Sequence, residues 1–68
     1  MLKNHNHDLI HQLSETSDSL WRLDEYIKNS NSCSYCEALW SKIKQDHENH
    51  VALITEEIKR HISEGRFD

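Results

Sequence analysis

Residues 9–27 read LIHQLSETSDSLWRLDEYI, and the side chains that suit a buried face recur at alternating steps of four and three residues. This spacing keeps one face of an α-helix together along its length, whereas a strand would need alternation at every second residue. We therefore predict a first helix over about residues 5–28. Its inward seam is predicted to comprise Leu9, Leu13, Thr16, Leu20, Leu23 and Ile27.

The residues that follow favour a turn and then a second helix. Asn and Ser side chains alternate in the loop predicted at about 29–33, and such side chains hydrogen-bond to nearby backbone in turns. Ser34 and Glu37 have the spacing of a capping box at a helix start. Gly65 suits the position just past a helix end, so the second helix is predicted over about 34–64, antiparallel to the first. Its seam is predicted to contain Cys36, Trp40, Ile43, His47, His50 and Ile54, with Val51, Ile58 and Ile62 continuing it.

The size of the chain predicts one domain, residues 1–68, that needs a partner. The sequence contains no Pro and a single Gly, so almost nothing interrupts the helical pattern, and this indicates an all-α fold. A chain of 68 residues buries only part of its apolar surface, and a lone hairpin buries less. We therefore expect the two-helix antiparallel hairpin to dimerise into a four-helix bundle.

Charge and hydropathy exclude two classes of partner. Eight basic and twelve acidic residues give a net charge of −4 with no basic stripe, so we expect no nucleic-acid binding. No apolar run approaches the roughly 20 residues that span a bilayer, so we expect no membrane partner. Residues 1–8 lack the apolar stretch of a signal peptide, and we expect a cytoplasmic protein.

Two histidines in the seam of the second helix are the main chemical anomaly. His47 and His50 are three residues apart and therefore project from one helix face. A hairpin folded about Asn31 would place them level with Glu15, and a homodimer would bring four imidazoles together, as in metal-binding bundles. The alternatives are a polar layer that hydrogen-bonds to neighbouring side chains or main chain, and a histidine that acts as proton donor or pH sensor.

Two segments resemble half of a ferritin-like domain of the rubrerythrin type. WRLDEYI at 21–27 resembles the end of that family's first helix, and KQDHENHVALI at 44–54 resembles its second, which carries Glu-x-x-His. The resemblance spans roughly residues 9–62.

The resemblance implies a set of metal ligands. Glu15 would be the first-helix carboxylate and His50 the histidine, while His47 stands where the family has a bridging glutamate. An imidazole does not bridge two cations as a carboxylate does, so the resemblance implies one transition-metal ion, iron or zinc, bound by His47, His50 and Glu15.

Cys33 and Cys36 form a CxxC motif at the start of the second helix, where the helix dipole favours a thiolate. Three interpretations remain open: plain thiols with Cys36 in the core, a redox or disulfide pair, and a zinc site completed from elsewhere.

Three functional hypotheses follow from the sequence. The first is a metal-binding ferritin-like homodimer, the second a non-catalytic module that binds another protein, and the third a thiol redox protein. Catalysis is uncertain, because no arrangement of nucleophile, base and orienting residue is visible.

Overall fold

The computed structural model describes residues 1–68 and consists of two helices packed side by side. Helix α1 spans Asn4–Asn29 and helix α2 spans Ser34–Ser63, and no strand is present. The hairpin is a rod with extents of 50 × 18 × 12 Å. The predicted all-α hairpin is confirmed, and the predicted helix ends lie within one residue of the observed ends.

The inward seam of α1 is confirmed along its whole length. All six predicted residues are buried or half-buried, and the same steps of three and four continue to Asn6 at one end and Ser30 at the other. Each step moves nearly one turn along the helix, so these side chains form one continuous stripe.

The inward seam of α2 differs from the prediction at Cys36, at His50 and at its C-terminal end. Trp40, Ile43, His47 and Ile54 are half-buried as predicted, but Cys36 and His50 are exposed. After His47 the observed seam runs through Val51, Ile54 and Ile58, as predicted, and then reaches His61, whereas the predicted Ile62 is 58% exposed. His50 lies one residue before a seam position, and a shift of one residue turns a side chain by about 100° around the helix.

The register of the two helices also differs from the prediction. Three pairs of contacting side chains, Asp24 with Lys44, Tyr26 with Trp40 and Asn6 with His61, show that the hairpin folds about residues 33–34. The predicted fold about Asn31 was wrong. The first turn of α2 instead extends past the end of α1, where Tyr35 is 89% exposed.

The caps of α2 explain where that helix begins and ends. The N-cap residue is Cys33, whose Sγ accepts a hydrogen bond from the backbone N–H of Cys36 at 3.3 Å. The predicted capping box was therefore wrong, because Ser34 is already the first helical residue. Gly65 has a φ of 69° and ends the helix as predicted, in a Schellman turn in which the N–H of Arg66 donates to the carbonyl of His61.

The interior of the hairpin is thin. Leu23 is the only apolar side chain that is buried, and the four other buried residues are polar: Asn6, Thr16, Ser30 and His61. No helix has both the length and the apolar character required to cross a membrane.

Candidate functional site

His47 is held in one orientation by its own helix. The ring is half-buried, and Nδ1 lies 3.0 Å from the backbone carbonyl oxygen of Ile43. Because a carbonyl only accepts, Nδ1 donates this hydrogen bond, and in the neutral ring Nε2 keeps the lone pair. The alternative of a histidine bonded to main chain is therefore present in the structure, and it leaves Nε2 available to a ligand.

His50 and Glu15 lie on the surface of the hairpin. The centroid of the His50 ring is 6.1 Å from that of His47, and the two rings are tilted by 38°. Glu15 is exposed and directs Oε1 to Nε2 of His11 at 3.5 Å. With the observed register Glu15 is about five residues, or roughly 7 Å of helix rise, from the level of His47.

A single hairpin does not gather these three residues into one centre. No group of three or more histidine, cysteine, aspartate or glutamate side chains is placed to hold a metal ion. Any ion bound through His47, His50 and Glu15 would require ligands from a second chain or a rearrangement of side chains. The metal set predicted from the sequence stays a prediction.

The two cysteines are unequal. Both are free thiols, with Cys33 half-buried and Cys36 exposed, so Cys36 is not in the core. Hydrogen bonds from the side chain and backbone of Cys36 lower the pKa of Cys33. The same pairing raises the pKa of Cys36, because its thiol proton is shared with the Cys33 sulfur. Cys33 is thus the better thiolate.

The most completely enclosed polar group lies at the open end of the hairpin. Asn6 is the only residue with no exposed surface, and its amide nitrogen donates to the carbonyl oxygens of Arg66 and Asp68 at 2.8 and 2.9 Å. Its Oδ1 lies 2.7 Å from Nδ1 of His61, which is 6% exposed. One asparagine therefore joins the first turn of α1 to α2 and to the C-terminal tail.

The other side of the His61 ring faces a carboxylate. Nε2 lies 2.9 Å from Oε2 of Glu57, and both Glu57 oxygens lie 2.6 Å from the guanidinium of Arg60. The Arg60 hydrogen bond is the main reason that the pKa of Glu57 is lowered, and His61 contributes in the same direction. The His5 ring contacts His61 edge-on, with centroids 5.3 Å apart.

This end cluster of Asn6, His61, Glu57 and Arg60 was missed by the sequence analysis. The signal was present, because Asn6 continues the seam of α1 by one step of three, and His61 lies three residues after Ile58. Polar residues at the ends of an apolar stripe are usually solvated, and only the packing of the tail over Asn6 shows otherwise.

Comparison with protein-family models, with curated proteins and with solved structures finds no match to this chain in any of the three.

Proposed function

We propose that the hairpin is a non-catalytic interaction module whose partner is a second copy of itself, and that two hairpins pair into a four-helix bundle. The observation that carries the proposal is the burial of a single apolar side chain, Leu23, in 68 residues. A core this small does not offset the conformational entropy of two long helices. Burial of further apolar surface against another chain would supply the missing stabilisation.

The surface proposed to pair is a stripe on α2, which we call the flank stripe. It consists of Leu39, Ile43, His50 and Leu53, and these positions share a helix face because they are four, seven and three residues apart. Leu39 and Leu53 are 53% and 69% exposed, whereas Ile43 is half-buried at the edge of the inward seam. The flank stripe therefore runs beside the seam, as expected of a helix that packs on two neighbours in a bundle.

The size of the hairpin suits an isologous dimer. A broad face 50 Å long and 18 Å wide spans about 900 Å². Stable interfaces bury about 800 Å² on each partner. A second copy can therefore cover enough surface without a further domain, and a two-fold axis would place each flank stripe against its counterpart.

The test is the mass of the folded protein in solution. Sedimentation at tens of micromolar should give twice the 8.1 kDa chain mass. The double variant Leu39→Glu/Leu53→Glu should sediment as a monomer, because it places charges in the proposed interface. Trp21→Glu is the matched control, since Trp21 is 78% exposed but lies on α1, outside the flank stripe.

Two results would contradict the proposal. One is a wild-type protein that stays helical and cooperative as a single chain over the same concentrations. The other is an unfolding midpoint that does not change with protein concentration, because the stability of a dimer depends on the concentration of its subunits.

A second candidate function is transition-metal binding in the same dimer, with iron or zinc bound by His47, His50 and Glu15. Two observations favour it. The Nδ1–H of His47 donates to the carbonyl of Ile43, and a hydrogen bond of this kind orients Nε2 in histidines that bind metals. His50 is part of the flank stripe, so a second copy would bring both His50 side chains to one interface.

We also propose a cytosolic location for the protein, because both cysteines are free thiols.

Elemental analysis of protein purified without a tag tests this candidate. One iron or zinc per one or two chains should be present, and His50→Gln should lose it. His7→Gln is the control, because His7 is exposed on α1 and contacts Asp8, which is not a proposed ligand. Wild-type protein without bound metal, whose melting temperature is unchanged by a chelator, would rule out the metal site and leave the dimer proposal intact.

A further inference from the structure

His61 lies between two hydrogen-bond acceptors. On one side both amide protons of Asn6 are given to the carbonyls of Arg66 and Asp68, so the atom that faces His61 is the acceptor Oδ1. Reversing the Asn6 amide would place its oxygen against two carbonyl oxygens, which is repulsive. Nδ1 of His61 must therefore carry a proton to make this 2.7 Å contact.

The second ring nitrogen has the same requirement. Nε2 lies 2.9 Å from Glu57 Oε2, and the pKa of Glu57 is lowered by the Arg60 guanidinium, so this oxygen is an ionised acceptor at neutral pH. A neutral imidazole has only one N–H. Both contacts are hydrogen bonds only when His61 is an imidazolium ion.

We propose that protonated His61 is a latch that holds the C-terminal tail, residues 64–68, against the first turn of α1, and that loss of its proton opens this end of the hairpin. The neutral ring would direct a lone pair at either Asn6 Oδ1 or Glu57 Oε2, and His61 is only 6% exposed to water that could replace the lost partner. The unfolded chain does not impose this cost. Stability from the latch is therefore present while His61 carries both ring protons and is lost when the ring gives one up as the pH rises.

The charged groups around His61 act in opposite directions. Glu57 favours the imidazolium, whereas Arg60 on the same helix disfavours it. From α1 the His5 ring contacts His61, and Lys3 directs Nζ to the side chain of Asp68 at 3.4 Å. In the tail, Arg66 is paired with Glu64 at 2.9 Å and contributes only its backbone to the latch.

Opening of the latch would release a defined set of contacts. The tail is held by the Asn6 amide, by a 2.6 Å backbone hydrogen bond from Lys3 N–H to Asp68 O, and by the Arg66 N–H that closes the Schellman turn. Tyr26 and Trp40 pack together near the loop, at the opposite end of the rod, and report separately on whether the hairpin remains folded.

Nitrogen NMR of the imidazole and amide hydrogen exchange test the latch. In the wild type at about pH 5.5, both ring nitrogens of His61 should be protonated. Between about pH 5.5 and 7.5, protection of the Lys3 and Arg66 amides should fall roughly tenfold after correction for the intrinsic exchange rate, as expected for loss of one hydrogen bond. The Trp40 fluorescence, measured in a Trp21→Phe background that leaves Trp40 as the single indole, should not change over this range.

The variants His61→Gln and His5→Gln complete the test. His61→Gln should remove the pH dependence of protection, and His5→Gln should keep it, because His5 only contacts the ring edge. A neutral His61 ring at pH 5.5, or protection that does not depend on pH in the wild type, would overturn the proposal. If His61→Gln loses the Trp40 signal through unfolding, the wild-type nitrogen titration alone decides.

Discussion

Lys44 Nζ lies 2.8 Å from Asp24 Oδ1, and this is the only ion pair that joins α1 to α2. All other ion pairs lie within one helix or involve the termini. The pair belongs to the register about residues 33–34, since the predicted fold about Asn31 would have placed Lys44 level with Asp18 instead. The hydrogen bond that Lys44 donates to Asp24 is the largest cause of the raised pKa of Lys44.

The first prediction concerns this pair. Asp24→Asn should lower the Lys44 pKa towards its ordinary value, as measured by NMR titration, and lower the melting temperature by at most a few degrees because both groups are solvated. The ion pair stabilises the charged form of Lys44. Its contribution to folding stability is therefore present below the usual Lys pKa of 10.5 and is lost as the pH rises through the higher pKa of the folded state. Glu25→Gln removes a pair with Lys28 within α1 and should leave the Lys44 titration unchanged. A Lys44 titration that Asp24→Asn does not alter would refute the observed register.

The second prediction concerns the aromatic contact near the loop. The rings of Tyr26 and Trp40 have centroids 4.9 Å apart, and Trp40 is half-buried in the seam. Trp40→Ala should destabilise the protein by about 3 kcal/mol in urea unfolding followed by circular dichroism. Trp21→Ala, on a side chain that is 78% exposed, should change stability by at most about 0.5 kcal/mol. Equal effects of the two substitutions would contradict the prediction, because they would mean that Trp21 contributes as much packing as Trp40.

Local signals were sufficient to predict the helices. The apolar spacing of α1, the Asn and Ser residues of the loop and the single Gly65 act over a few residues, and each marked its element correctly. The register depends instead on contacts between distant residues, such as Asp24 with Lys44. A capping box at Ser34 was predicted from its spacing to Glu37, yet the Cys33 sulfur takes the N-cap position.

The candidate site was predictable only in part, because its members occupy different faces. His47 lies in the seam as predicted, and the change from a step of three to a step of four after it leaves His50 exposed. Both spacings are compatible with a helix, so the sequence alone did not decide between His50 and Val51. Asn6 and His61 meet because of the register of the two helices, and the tail that covers Asn6 depends on the Schellman turn at Gly65.

The third prediction concerns acid unfolding. The pKa of Glu57 is lowered from its usual 4.5, chiefly by Arg60. The ionised carboxylate is therefore more stable in the folded state than in the unfolded chain. This stabilisation is present above the unfolded value and is lost as the pH falls through the lower folded value. Glu57→Gln should therefore flatten the dependence of the urea midpoint on pH between about 5 and 3.

A matched variant tests whether this effect belongs to Glu57 itself. Glu56→Gln removes a neighbouring carboxylate of α2 whose contact with Lys59 is long, at 3.5 Å, and solvated. It should leave the acid dependence close to that of the wild type. The prediction would be wrong if the two substitutions flattened the curve equally, because the cause would then be the general charge of the helix.

The last prediction concerns the order in which the two thiols react. Hydrogen bonds from Cys36 lower the pKa of Cys33, and the pKa of Cys36 is raised, so limiting iodoacetamide at about pH 8 should modify Cys33 first. Peptide mass spectrometry measures the ratio of modified Cys33 to modified Cys36.

Two variants of Cys36 separate the contribution of its side chain from that of its backbone N–H. Cys36→Ser keeps a side-chain donor and should preserve the reactivity of Cys33, whereas Cys36→Ala removes that donor and should reduce the reactivity although the backbone N–H remains at 3.3 Å. Faster modification of the more exposed Cys36 in the wild type would show that access, and not thiolate stability, controls the chemistry at this helix start.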